Sequence, residues 1–146
     1  MCLEIRNQFQ QPNIAEINID CYKIFQLSSD NKTLVSPYRF KRYKIGRLYK
    51  IPFIRLKWEK DKLKNLFESV INRGFHSFKN IPTAITLLSN TDITEYVIYK
   101  CIIPAGALYY DGKYFSNYDS YASEKIIIVE KVIIDNCNTL PEIIEN

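Results

Sequence analysis

Six basic residues crowd into twelve positions: Arg39, Lys41, Arg42, Lys44, Arg47 and Lys50, with Phe40, Tyr43 and Tyr49 between them. Basic groups attract phosphate and aromatic faces accept stacked bases. The pattern therefore points to an anion site for a nucleotide, a nucleic acid or an acidic protein. The stretch is the centre of a wider bias. From Lys32 to Lys64 twelve Lys/Arg stand against two acids, Glu59 and Asp61, a net of +10 in a chain of +4, so the remainder is net acidic. A second reading stands beside the first: a solvated sheet edge whose lysines block aggregation. On a strand, alternation places only half of these residues on one face.

The single histidine, His76, lies in Gly74-Phe75-His76-Ser77-Phe78. Alternation puts it on the face of Phe78, opposite Phe75. It reads either as a general base or nucleotide contact, or as a hydrogen-bonded structural histidine. Glu124 and Glu130 flank the last apolar segment. Six residues of strand separate them by about 20 Å, too far for a carboxylate dyad, which leaves Glu124 as a lone candidate. No P-loop, GxGxxG, HExxH or nucleophile-elbow pattern occurs. The four cysteines, Cys2, Cys21, Cys101 and Cys137, form no CxxC pair. With one histidine they make no metal-ligand pattern, so neither metal nor cofactor is expected. Tyr109, Tyr110, Tyr114, Tyr118 and Tyr121 form a Tyr-dense region. It serves either as a binding surface or as packing over the sheet.

The elements that must position these groups follow from periodicity. Cys21 to Leu27 alternates and is rich in β-formers, and Thr33 to Val35 resumes after a turn cluster, predicting a β-hairpin. Tyr43 to Ile45 and Leu48 to Ile51 read as a second strand pair bent at Gly46. From Glu59 to Asn72, Leu63, Leu66, Phe67, Val70 and Ile71 recur at helical spacing and predict an amphipathic helix ended near Gly74. A short strand, Phe75 to Phe78, precedes a second helix from Ile81 to Leu88, with Asn80 as N-cap and Pro82 in the first turn. Tyr96 to Ile103 reads as a central strand, Asp111 to Tyr121 as a polar, Tyr-rich loop, and Lys125 to Ile134 as a long buried strand. With only four glycines in the chain, each is expected at a turn. The expected fold is α+β, a mostly antiparallel twisted sheet with two helices packed on it. The expected organisation is a lead-in over 1–20, one domain over 21–135 and a polar tail over 136–146. Met1 to Gln11 shows no secretory pattern, and the longest apolar run is too short to span a bilayer. Free thiols in a reducing compartment are expected.

The motif order Tyr22-Lys23-Ile24-Phe25, Tyr43-Lys44-Ile45-Gly46-Arg47-Leu48-Tyr49, Gly74-Phe75-His76-Ser77-Phe78, Tyr99-Lys100-Cys101-Ile102-Ile103-Pro104 and Tyr121-Ala122-Ser123-Glu124-Lys125-Ile126-Ile127-Ile128 resembles small domains common in bacteriophages and prophages. The resemblance spans roughly residues 22–134. It implies a phage or mobile-element origin and no assigned activity. A more distant resemblance is to ADP-ribosyltransferase-like folds. There, His76 or Ser77 would line the nicotinamide cleft and Glu124 would be catalytic. The Glu-x-Glu signature is missing, and the first strand offers Tyr22 and Lys23 instead of Arg or His. The resemblance therefore implies a degenerate, non-catalytic version.

The expected function is that of a non-enzymatic phage accessory protein. It binds an anionic ligand, nucleotide or nucleic acid, or a host protein, through Arg39, Lys41, Arg42, Tyr43, Lys44, Arg47 and His76. Two alternatives are a virion structural or decoration protein and an ADP-ribosyltransferase-like enzyme. No catalytic residue is assigned, and His76 and Glu124 are the two to consider for such a role. The expected setting is the bacterial host cytoplasm or the virion, without a membrane.

Overall fold

The computed structural model describes residues 3–5, 11–27, 33–36, 41–52, 59–60, 69–71, 74–88, 96–114 and 118–133. Its strands are β1 (Leu3–Ile5), β2 (Asn13–Ile14), β3 (Ile19–Leu27), β4 (Leu34–Val35), β5 (Arg42–Tyr43), β6 (Leu48–Lys50), β7 (Glu59–Lys60), β8 (Ser69–Ile71), β9 (Phe75–Phe78), β10 (Tyr96–Ile103), β11 (Leu108–Tyr114), β12 (Tyr118–Ser123) and β13 (Lys125–Lys131). The one helix among the described residues is α1 (Ile81–Leu88). The described residues thus form a mostly antiparallel β-sheet with a single short helix.

The strands join in the order β6-β13-β10-β3-β9-β12-β11-β1-β8-β7, with β4 and β5 hanging on β3 and β2 on β11. Two well-paired blocks meet at a narrow seam. On one side β10 pairs with β3 over eight residues, from Tyr96↔Gln26 to Ile103↔Ile19, and with β13 on its other edge. On the other side β12 pairs with both β11 and β9. Between the blocks, β3 and β9 share a single register pair, Tyr22↔Phe78.

Alternation sorts the core onto two faces. Cys21, Phe25, Tyr99, Cys101, Ile103, Ile126 and Ile128 are buried together on one face with Leu34, Tyr43 and Phe75. Phe25 and Ile128 are completely buried. Removing a side chain of that size from water contributes about 1.5–3 kcal/mol. On the opposite face Phe78 and Ile98 pack with Ala84 and Leu88 of α1. α1 begins as its sequence predicts: Asn80 Oδ1 accepts from Thr83 N at 2.8 Å, an N-cap, with Pro82 in the first turn.

Four sequence expectations are corrected. The amphipathic helix from Glu59 to Asn72 is not formed at its ends. Glu59–Lys60 and Ser69–Ile71 are antiparallel strands, and β8 continues onto β1 through Leu3↔Ile71, Glu4↔Val70 and Ile5↔Ser69. Val70 and Ile71 are β-branched, and pairing with a ready strand edge outranks helical periodicity; residues 61–68 lie outside the described residues. Among the described residues there is therefore one helix where two were expected. The Asp111–Tyr121 loop is largely strand: its tyrosines alternate along β11 and β12, which pair from Tyr109↔Ser123 to Tyr114↔Tyr118. β5 and β6 do not pair with each other. β5 joins β4, whereas β6 joins β13. The turn at Gly46 (φ 83°) sends the chain across, with Gly46 N donating to Ile128 O at 2.7 Å. Finally, Gly112 marks no turn but lies inside β11, where the backbone of β1 comes close. The lead-in and tail fall partly or wholly outside the described residues, as do Arg39, Phe40, Cys2 and Cys137.

Candidate functional site

β3 carries Cys21, Lys23 and Phe25 on the same face by alternation. Cys21 and Phe25 are core residues, so Lys23 enters the core face between them. Its Nζ donates to the backbone carbonyl of His76 at 2.5 Å. The same ammonium lies 5.8 Å from the centroid of the Phe25 ring and 6.0 Å from that of Tyr43. Burial pushes its pKa below the ordinary lysine value, and the nearby Lys41 charge adds to the lowering.

Lys41, just before β5, supplies the second cation. Its Nζ stands 4.9 Å from the Phe75 centroid, 5.4 Å from Tyr43 and 5.7 Å from Tyr49, each within cation–π range. The rings form a connected wall. Tyr43 packs edge-on to Tyr49 at 4.9 Å and to Phe75 at 6.4 Å, and lies tilted against Phe25 at 5.5 Å. The Tyr49 hydroxyl accepts from Lys44 N at 2.7 Å, which fixes that ring across the Gly46 turn. Desolvation lowers the Lys41 pKa as well. Among the described residues no carboxylate forms an ion pair with Lys23 or Lys41. Ion pairs among the described residues are Lys79–Asp111, Lys100–Asp20 and Lys113–Asp119.

The predicted site residues are thus divided. Lys41 and Tyr43 meet in the cluster. Arg42 alternates away from Tyr43 and is exposed, as are Lys44 and Arg47 on the β5–β6 turn. Their charged groups form a cationic rim without a described contact to the rings, although the Lys44 backbone holds the Tyr49 hydroxyl. Arg39 lies outside the described residues. His76 reaches the site through its backbone carbonyl. Its buried ring turns the other way, with Nδ1 3.2 Å from Gly74 O, which requires Nδ1 to carry the proton. The Glu124 carboxylate is engaged as well: Oε2 accepts from Leu108 N at 2.8 Å, at the bend between β12 and β13.

Lys23 is the residue that motif reading passes over, along with the part played by Phe25 and Phe75. A signal existed: a lysine flanked at i−2 and i+2 by Cys21 and Phe25, in a strand whose alternation buries that face. Beside Lys23 lie two more buried groups, Cys21 and Cys101, which face each other across β3 and β10. Burial pushes the Cys21 thiol up to about 11 and the Cys101 thiol higher still. Comparison with protein-family models, with curated proteins and with solved structures gives no match to this chain.

Proposed function

We propose that the chain is a non-enzymatic accessory domain that binds an anionic ligand of the nucleotide class at the Lys23–Lys41 cluster. One observation carries this reading: two ammonium groups flank the same Tyr43 ring, without a carboxylate partner among the described residues. Two like charges that share a site, Lys23 half-buried and Lys41 exposed, repel, and an anion placed between them offsets that cost. Phosphate oxygens suit the lysines as point-charge partners. The exposed parts of Tyr49 and its neighbours supply a face for a base, and stacking on an aromatic side chain contributes about 1–3 kcal/mol. Arg42, Lys44 and Arg47 on the rim attract the ligand at longer range. The resemblance to phage and prophage domains supports an accessory role in that setting.

Isothermal titration with mononucleotides at two salt concentrations tests the proposal. Binding should weaken as salt rises. Lys41→Met and Lys23→Met should each lower affinity about tenfold or more, the loss of one charge-assisted contact of about 1.5–3 kcal/mol. Arg47→Ala should change it by less than about threefold, as a rim charge does. Absence of binding at millimolar nucleotide, or binding indifferent to both lysine variants, overturns the assignment.

A further inference from the structure

We propose that Lys23 is a carbonyl-capturing amine, one that forms an imine with an aldehyde or ketone, and that its preferred carbonyl compound carries a phosphate. The choice of an anionic compound rests on the nucleotide-class reading above; the reactivity of the amine does not.

Groups from four strands surround Nζ. On its own strand stand Cys21 and Phe25. From β10 come Cys101 and Tyr99, the latter its register partner. From β5 and the residue before it come Tyr43 and Lys41, and from β9 the carbonyl of His76. Among these groups only Lys41 is charged at neutral pH, and it is a cation. The two thiols stay protonated because burial raises both. Burial, the largest cause, and the Lys41 charge lower the Lys23 pKa against an opposing contribution from Cys101 and Cys21, so Nζ gives up its proton more readily than an exposed lysine does. A lysine desolvated among apolar groups and placed near another cation is the arrangement that turns an ammonium into a nucleophile. Lys23 remains half-buried and so retains solvent contact.

The chemistry balances without a co-reactant. The lone pair of the uncharged Nζ attacks the carbonyl carbon. As the N–C bond forms, the π pair moves to oxygen, which takes a proton from water, and nitrogen gives up a proton to water. The resulting carbinolamine then loses its hydroxyl as water while the nitrogen lone pair closes the C=N bond. Water is the only species released. Protonated, the imine places a cation where Phe25 and Tyr43 already face the ammonium, and Lys41 stands ready for the phosphate.

The test uses the wild-type protein with two probes. Formaldehyde with cyanoborohydride at pH 7 is small and uncharged, so it reads the amine alone. Peptide mapping by mass spectrometry should show Lys23 methylated at least tenfold faster than the exposed Lys44 and Lys50. Pyridoxal 5′-phosphate followed by borohydride reads the amine and the anion site together. Label should appear on Lys23, fall several-fold with added inorganic phosphate, and fall likewise in Lys41→Met. Lys23 methylated no faster than the exposed lysines overturns the proposal. Fast methylation with phosphate-insensitive pyridoxal labelling overturns the phosphate preference and the nucleotide-class reading, and leaves the capturing amine standing.

Discussion

Lys23 Nζ donates its hydrogen bond to the carbonyl of His76 across the seam where β3 and β9 share one register pair. A side chain thus ties the two strands where their register pairing is a single pair. A hydrogen bond of this kind contributes about 0.5–1.5 kcal/mol net. Lys23→Met keeps the stem and removes the donor. It should lower unfolding stability by about that amount in urea denaturation. Lys23→Arg, which retains a donor at similar reach, should recover more than half of the loss. Equal losses in both variants would show that the bond does not hold the seam.

Cys21 and Cys101 are completely buried cross-strand neighbours beside that lysine. Thiolates are the reactive form, so buried thiols with raised pKa are inert. Alkylation by iodoacetamide at pH 8, mapped by peptide, should leave both unmodified in the folded protein and modify both rapidly in urea. The same shift has a pH consequence. A folded-state thiol raised from 9.0 to about 11 contributes stability that is complete below pH 9 and is lost as pH climbs through 11. For Cys21 the loss is about 2–3 kcal/mol at its full extent. The alkaline fall in stability should be flatter in Cys21→Ala than in wild type.

How much of this was legible follows from where local and long-range demands agree. β3, β10 and β13 were readable because alternation and β-branched content matched their places in the sheet, and β9 because Gly74 precedes a short run bounded by Phe75 and Phe78. α1 was readable because Asn80, Pro82 and the apolar residues after them all favour the same helix start. The stretch from Glu59 failed because its helical spacing is a local signal, whereas Val70 and Ile71 answer to a strand edge, Leu3–Ile5, more than sixty residues away. The β11–β12 hairpin was hidden for a related reason. Asp111, Gly112 and Lys113 look like a loop, and only pairing on both sides of β11 and β12 makes them strand. The site was half legible. Lys41 and Tyr43 stand out by composition, but Lys23 meets them only through the register of the folded sheet.

Gly112 offers a sharp test of that packing. A Cβ built there would lie 2.2 Å from the Glu4 carbonyl oxygen and 3.0 Å from Leu3 Cγ. The first contact is with backbone, which has no rotamer to change, so β1 must move away from β11. Gly112→Ala should cost about 1–3 kcal/mol, the usual penalty of overpacking. The melting temperature should drop by about 2–4 °C for each kcal/mol. Gly106→Ala, where a Cβ has open space but φ is +88°, should suffer from backbone strain alone and serves as the contrast. A melting temperature unchanged in Gly112→Ala would place β1 farther from β11 than described.

Glu124 separates a catalytic from a positioning role. Its carboxylate accepts from Leu108 N, and its own backbone N donates to Leu108 O at 3.0 Å, while its carbonyl accepts from Ile51 N at 2.9 Å. One residue thereby joins β11, the bend before β13 and the chain after β6. Replacing the carboxylate by an amide keeps an acceptor, so Glu124→Gln should cost less than about 1 kcal/mol, whereas Glu124→Ala leaves Leu108 N unpaired and should cost about 1–3 kcal/mol. Nucleotide affinity should change less than about threefold in Glu124→Gln, because its described hydrogen bonds are made with Leu108 and Ile51 and not with Lys23 or Lys41. A large loss of binding or of any hydrolytic or transfer activity in Glu124→Gln, with stability intact, would assign the carboxylate to chemistry. The hydrogen bond to Leu108 argues that the stability difference between the two variants is where its role will be seen.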